Sequence, residues 1–102
     1  MFKRVAAMAL AIAALVAPQV RADPVADFYR GKQVNVIVGY GPGGGYDVYA
    51  RLFGRHLGRH LPGNPTVVVQ NMPGAGSLRA VNYLYSVAPK DGTTLAHFAR
   101  NM

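Results

Sequence analysis

The chain has 102 residues, a formal net charge of +7 and no cysteine. That length excludes more than one small domain, and the missing cysteines exclude disulfides and thiolate metal sites. The basic excess suits an anionic ligand or an anionic surface without demanding nucleic acid.

The first segment reads as an export signal. Lys3 and Arg4 form a short positive start, and residues 5–16 (VAAMALAIAALV) follow without a charge. Pro18 breaks the run, and in the segment Val20, Arg21, Ala22 the two positions that a signal peptidase reads, Val20 and Ala22, are small or short. This is the layout of a secretory signal peptide over residues 1–22, with the cut expected between Ala22 and Asp23. A spanning helix needs about 20 apolar residues, more than this run provides. Processing removes Lys3, Arg4 and Arg21, which leaves eight basic residues, four Asp and a net charge of +4 over residues 23–102. Such a segment directs export from the cytoplasm.

Residues 23–32 (DPVADFYRGK) read as a polar lead-in with one helical turn around residues 26–29. Residues 34–38 (VNVIV) are β-branched, short and followed by glycine, so they predict a buried strand. Residues 39–45 (GYGPGGG) cannot be the interior of a helix or strand. Asp47 opens a predicted helix that runs to about His60. Tyr49, Phe53 and Leu57 form its expected apolar face, and Arg51, Arg55 and Arg59 a second stripe.

Residues 61–65 (LPGNP) stop that helix, and residues 66–70 (TVVVQ) predict a second buried strand. Residues 71–76 (NMPGAG) form a second Gly/Pro loop. Ser77 is expected to cap a helix running to about Val87, with Leu78, Val81, Leu84 and Tyr85 as its core stripe. After a turn at residues 88–92, residues 93–98 (TTLAHF) predict a third strand. The order βαβαβ makes the start of an α/β parallel sheet with right-handed crossovers.

The chemistry of the sequence lies in the two glycine loops. Each follows the carboxyl end of a parallel strand and feeds a helix N-terminus, so both open on the edge where α/β proteins bind ligands. Glycine lets backbone N–H groups point outward, and a helix N-terminus adds about half a positive charge. Such a site suits a carboxylate or phosphate. Glycine-rich turns also serve as plain connections, but both loops are several residues longer than a tight turn needs.

Gly39, Gly41 and Gly44 fit a literal G-x-G-x-x-G, the mark of a nucleotide-binding, Rossmann-like oxidoreductase. The second strand ends in Gln70 and Asn71, with no acid to hold a ribose, and Pro42 lies inside the supposed phosphate turn. A short exported interaction protein is the third alternative, although an open sheet edge would leave 80 residues prone to aggregation.

Residues 40–47 (YGPGGGYD), continuing through Ala50 and Arg51, resemble the first signature of the Bug family, the periplasmic substrate-binding receptors of tripartite tricarboxylate transporters. Residues 71–77 (NMPGAGS) resemble the second, and residues 89–95 (PKDGTTL) the approach to the third strand. The resemblance implies a type II periplasmic-binding-protein fold, in which two α/β lobes close on a small carboxylate and hand it to the membrane permease subunits. Membrane contact would then run only through the permease.

By the same resemblance, the ligand-binding residues are Tyr40, Gly41, Pro42, Gly43, Gly44, Gly45 and Asp47 in the first loop. In the second they are Asn71, Pro73, Gly74, Ala75, Gly76 and Ser77. Many members carry a further Gly where this chain has Ser77. Members are also much longer, so residues 23–102 are expected to be a truncated, partial N-terminal lobe (the first part of lobe 1) that does not bind by itself.

Asp47 serves equally as a helix-start residue favoured by capping and the dipole. His56 and His60 are spaced i,i+4, but no third ligand accompanies them, so no metal is expected. His97 is expected to be a packing residue. Tyr40 and Tyr46 are candidates to line a pocket, and the arginine stripe reads as a solvated face or a docking surface for the permease. No nucleophile–base pair or paired carboxylates stand out, so neither catalysis nor a cofactor is expected.

Overall fold

The computed structural model describes residues 2–16 and 22–101. The sheet consists of β1 (Gln33–Val38), β2 (Thr66–Asn71) and β3 (Thr94–His97). All pairings are parallel, in the order β2-β1-β3, with Val36 opposite Val69 on one side and Leu95 on the other. Among the described residues four α-helices accompany it: α1 (Phe2–Val16), α2 (Pro24–Tyr29), α3 (Gly45–His60) and α4 (Leu78–Ser86).

The order follows from the chain's two crossovers. α3 carries the chain from β1 outward to β2, and α4 carries it back across β1 to β3. Two right-handed crossovers in opposite directions place α3 and α4 on opposite faces of the sheet. β1 is therefore covered on both sides, which is why Val34, Val36, Ile37 and Val38 are all fully buried. Val36 and Val38 meet Ala50 of α3, with Tyr46, Val67 and Val69 completing that cluster.

The helix faces differ from the expected ones. α3 buries Asp47, Ala50 and Gly54, whereas Tyr49 and Phe53 are 69% and 51% exposed and Leu57 is half-buried. The reason is close approach. A methyl group on Gly54 would stand 2.9 Å from a Val69 methyl, and one on Gly58 would stand 2.8 Å from the Pro65 carbonyl oxygen. A helix seated this near β2 rests on its small residues, and its larger ones are turned aside. α4 behaves alike: it buries Ala80, while Leu78 and Tyr85 of the expected stripe are exposed.

α1 is a 15-residue helix whose side chains over residues 2–12 are exposed. Among the described residues no helix is long and apolar enough to cross a membrane. Val20 and Arg21 of the expected cleavage signal lie outside the described residues. Ala22 and Asp23 are exposed, and Asp23 caps α2 by accepting the Val25 and Ala26 amides at 3.0 and 3.2 Å. α2 lies by the turns at the amino edge of the sheet, where the Tyr29 hydroxyl donates to the Gly92 carbonyl at 3.0 Å.

Candidate functional site

The two glycine loops leave the carboxyl ends of β1 and β2, on one edge of the sheet. The first loop ends at Gly44, the N-cap of α3. Asp47 therefore does not open the helix as expected but stands at its third position. The first-turn amides of Gly45, Tyr46 and Asp47 have no intrahelical acceptor, and Gly44 has no side chain to satisfy them. Beyond their chain neighbours and the helix's own backbone, no heavy atom lies within 4 Å of where side chains on Gly41, Gly43, Gly44 and Gly45 would begin. The N-terminus of a 16-residue helix thus opens on unobstructed space.

Asp47 and Asn71 were both expected to face the ligand, and the structure brings them together. Asn71 Nδ2 donates to Asp47 Oδ1 at 2.8 Å and to the Tyr40 carbonyl at 2.9 Å. Its Oδ1 accepts from Arg51 Nη2 at 2.8 Å. Asp47 also accepts the Gly43 amide at 2.9 Å and Arg51 Nε at 3.0 and 3.1 Å. Both side-chain polar atoms of Asn71 are engaged, and Asp47 is 4% exposed. The Gly43 amide first, then Asn71 and Arg51, hold the Asp47 carboxyl down to about 2, against an ordinary value of 3.8. This network fixes the shape of the first loop and ties it to the end of β2.

The second loop carries backbone strain that the sequence did not announce. Gly74, Ala75, Gly76 and Ser77 all have positive φ, at 140°, 49°, 59° and 81°. Ala75 and Ser77 are not glycine, and the left-handed region costs such residues roughly 1–2 kcal/mol each. Strain of this kind collects at ligand sites. A left-handed 3-10 turn, Ala75–Ser77, results, and it delivers the chain to α4.

Ser77 stands at the N-cap of α4 but makes no capping bond, contrary to expectation. Its left-handed backbone, at φ 81° and ψ −5°, is not the extended conformation from which an N-cap side chain reaches the first-turn amides. The hydroxyl instead donates to the Gly39 carbonyl at 3.2 Å and accepts the Ala99 amide at 3.2 Å. It is fully buried. Gly41 is half-buried, and Pro42, Gly43, Gly44, Gly45, Pro73, Gly74, Ala75 and Gly76 are exposed along the rim.

Aromatic side chains flank the first loop. Tyr40 and Tyr46 stack at 4.8 Å, and Tyr46 meets His97 edge-on at 5.2 Å. Gly45, Tyr46, Tyr49 and His97 line a pocket of about 400 Å³ beside the loop. A larger groove of about 630 Å³ runs between α3 and β3. Its walls are apolar apart from Tyr49, His56 and His97.

Sequence reasoning overlooked Arg51 as the partner of Asp47, although their i,i+4 spacing was visible. It also overlooked the segment after β3, residues 98–100, which meets Ser77 of the second loop and Tyr46 in the first turn of α3. His56 lines the groove, and its Nδ1 accepts from Arg59 Nη2 at 2.6 Å.

The sequence is 36% identical, over 94 residues covering 92% of this chain, to the Cupriavidus necator protein described as "UPF0065 protein in gbd 5'region". The chain spans 28% of that relative's length. No family model matches the sequence. No solved structure matches it.

Proposed function

We propose that this chain is part of an exported, periplasmic receptor that captures a small carboxylate and delivers it to a tripartite tricarboxylate-type permease. The observation that carries this reading is the uncapped N-terminus of α3, opening through Gly44 and Gly45 beside the strained second loop. Backbone amides with no acceptor, at the positive end of a long helix, favour an anion. The loop's one carboxylate, Asp47, is buried and neutralised by Arg51, so it does not repel that anion.

Two similarities support the reading. The three motifs resemble those of the Bug receptors, and the curated relative is a UPF0065 protein, from the family that covers them. The charged, short and apolar sequence of residues 3–16 supports export. Neither loop offers a nucleophile with a base beside it, which favours binding over catalysis.

The test is calorimetric titration of the whole protein carrying this sequence with succinate, citrate, glutamate and benzoate. Saturable binding of at least one is expected. No binding to any of them, alongside binding of a nicotinamide nucleotide, would replace this reading with the oxidoreductase alternative.

A further inference from the structure

Resting on the receptor reading, we propose that residues 98–100 form a third wall of the site and that Arg100 is the cation that meets the ligand's carboxylate. Strand order is the first reason. The crossovers from β1 to β2 and from β2 to β3 depart in opposite directions. The crevice between the carboxyl ends of β1 and β3 is therefore the switch point at which open α/β sheets take ligands. Residues 98–100 leave β3 on one side of that crevice, and the first loop leaves β1 on the other.

The second reason is that two hydroxyls dock this segment, one on the second loop and one on the first turn of α3. Ser77 Oγ accepts the Ala99 amide at 3.2 Å, and the Tyr46 hydroxyl accepts the Arg100 amide at 3.3 Å. Both residues are anchored in turn to the first loop, Ser77 through the Gly39 carbonyl and Tyr46 through its stack on Tyr40. Ala99 is buried at 3% exposure. The backbone of Arg100 is thus held against the first turn of α3.

The third reason is elimination among the arginines of this edge. Arg51 is committed to Asp47 and Asn71. Arg79 lies over Gly74 and donates to the Pro73 carbonyl at 3.4 Å. Arg100 is exposed, and its guanidinium has no partner among the described residues. The glycine loops supply only neutral amides, whereas Arg100 adds a full charge and a fork that matches a carboxylate.

The experiment is calorimetric titration of the whole protein with succinate, citrate, glutamate and benzoate, for wild type, Arg100→Gln, Arg100→Lys and Ser77→Gly. Arg100→Gln is expected to weaken binding by about tenfold or more, with Tm of the free protein unchanged. Arg100→Lys is expected to recover part of the loss. Ser77→Gly, which suits a left-handed backbone but releases Ala99, is expected to weaken binding while Arg100 remains. Wild-type binding with Arg100→Gln within about twofold of it would overturn the assignment of Arg100. Ser77→Gly at wild-type affinity would overturn the docked third wall. If wild type binds none of the four acids, the receptor reading itself fails and this one falls with it.

Discussion

The Ser77 hydroxyl sits 3.2 Å from the Gly39 carbonyl oxygen, and a methyl group placed on Gly39 would lie 2.3 Å from that same hydroxyl. The two loops of the site therefore touch through a glycine and a buried serine, with no space between them. Ser77 cannot retreat, because its own Cα would be only 3.1 Å from the added carbon. Gly39→Ala is expected to destabilise the fold by about 1–3 kcal/mol, the range for overfilling a close contact. Urea unfolding would show it as a lower midpoint with an unchanged slope.

Ser77 itself gives a more discriminating comparison. Ser77→Ala keeps the left-handed strain and leaves the Gly39 carbonyl and Ala99 amide without their buried partner. Ser77→Gly loses the same two bonds but relieves the strain, worth roughly 1–2 kcal/mol. Both variants are expected to be less stable than wild type, with Ser77→Ala the worse of the two. Equal unfolding midpoints for the pair would mean that the φ of 81° is not strained in solution.

Asp47 makes stability depend on acid. Its folded-state carboxyl titrates at about 2, below the ordinary 3.8, because it accepts the Gly43 amide and bonds from Asn71 and Arg51. A folded value below the unfolded one means that the stabilisation is complete above 3.8 and drains away as pH falls through 2. Asp47→Asn is expected to flatten the dependence of the urea midpoint over that window. A residual slope should remain from Asp91, whose carboxyl is held low by the Thr93 hydroxyl and amide. An Asp47→Asn profile parallel to wild type would refute the network.

The helix faces supply a fourth prediction. Phe53→Ser is expected to change stability by under about 1 kcal/mol, as for a surface site. Ala50→Leu, on the small-residue face against Val36 and Val38, is expected to cost about 1–3 kcal/mol. The reverse ranking, measured by chemical denaturation, would restore the aromatic stripe to the core.

That last pair also shows where sequence reasoning held and where it gave way. Residues 34–38 and 66–70 are β-branched and bounded by glycine or proline, so the strands and their parallel order were legible. The glycine loops were legible for the same reason. The seating of α3 was not. Periodicity marks Tyr49, Phe53 and Leu57 as a stripe, but it cannot say how near the helix lies to the sheet. Gly54 and Gly58 set that distance, and they turned the burial toward Ala50.

Within the site, Asp47 and Arg51 were one helical turn apart in the sequence, yet their partner Asn71 stands 24 residues beyond Asp47. The left-handed run at Ala75 and Ser77 was hidden because neither residue is glycine. Residues 98–100 entered only when the strand order set β3 beside β1.

The central claim is that the amides of the two glycine loops receive a small carboxylate. Amide chemical shifts of the whole protein, followed while succinate, citrate, glutamate or benzoate is added, test it most directly. The account predicts that saturable shifts gather at residues 43–47 and 74–77 and at Arg100. Saturable shifts at the amino edge around Gly63 and Gly92, with the two loops unmoved, would contradict it.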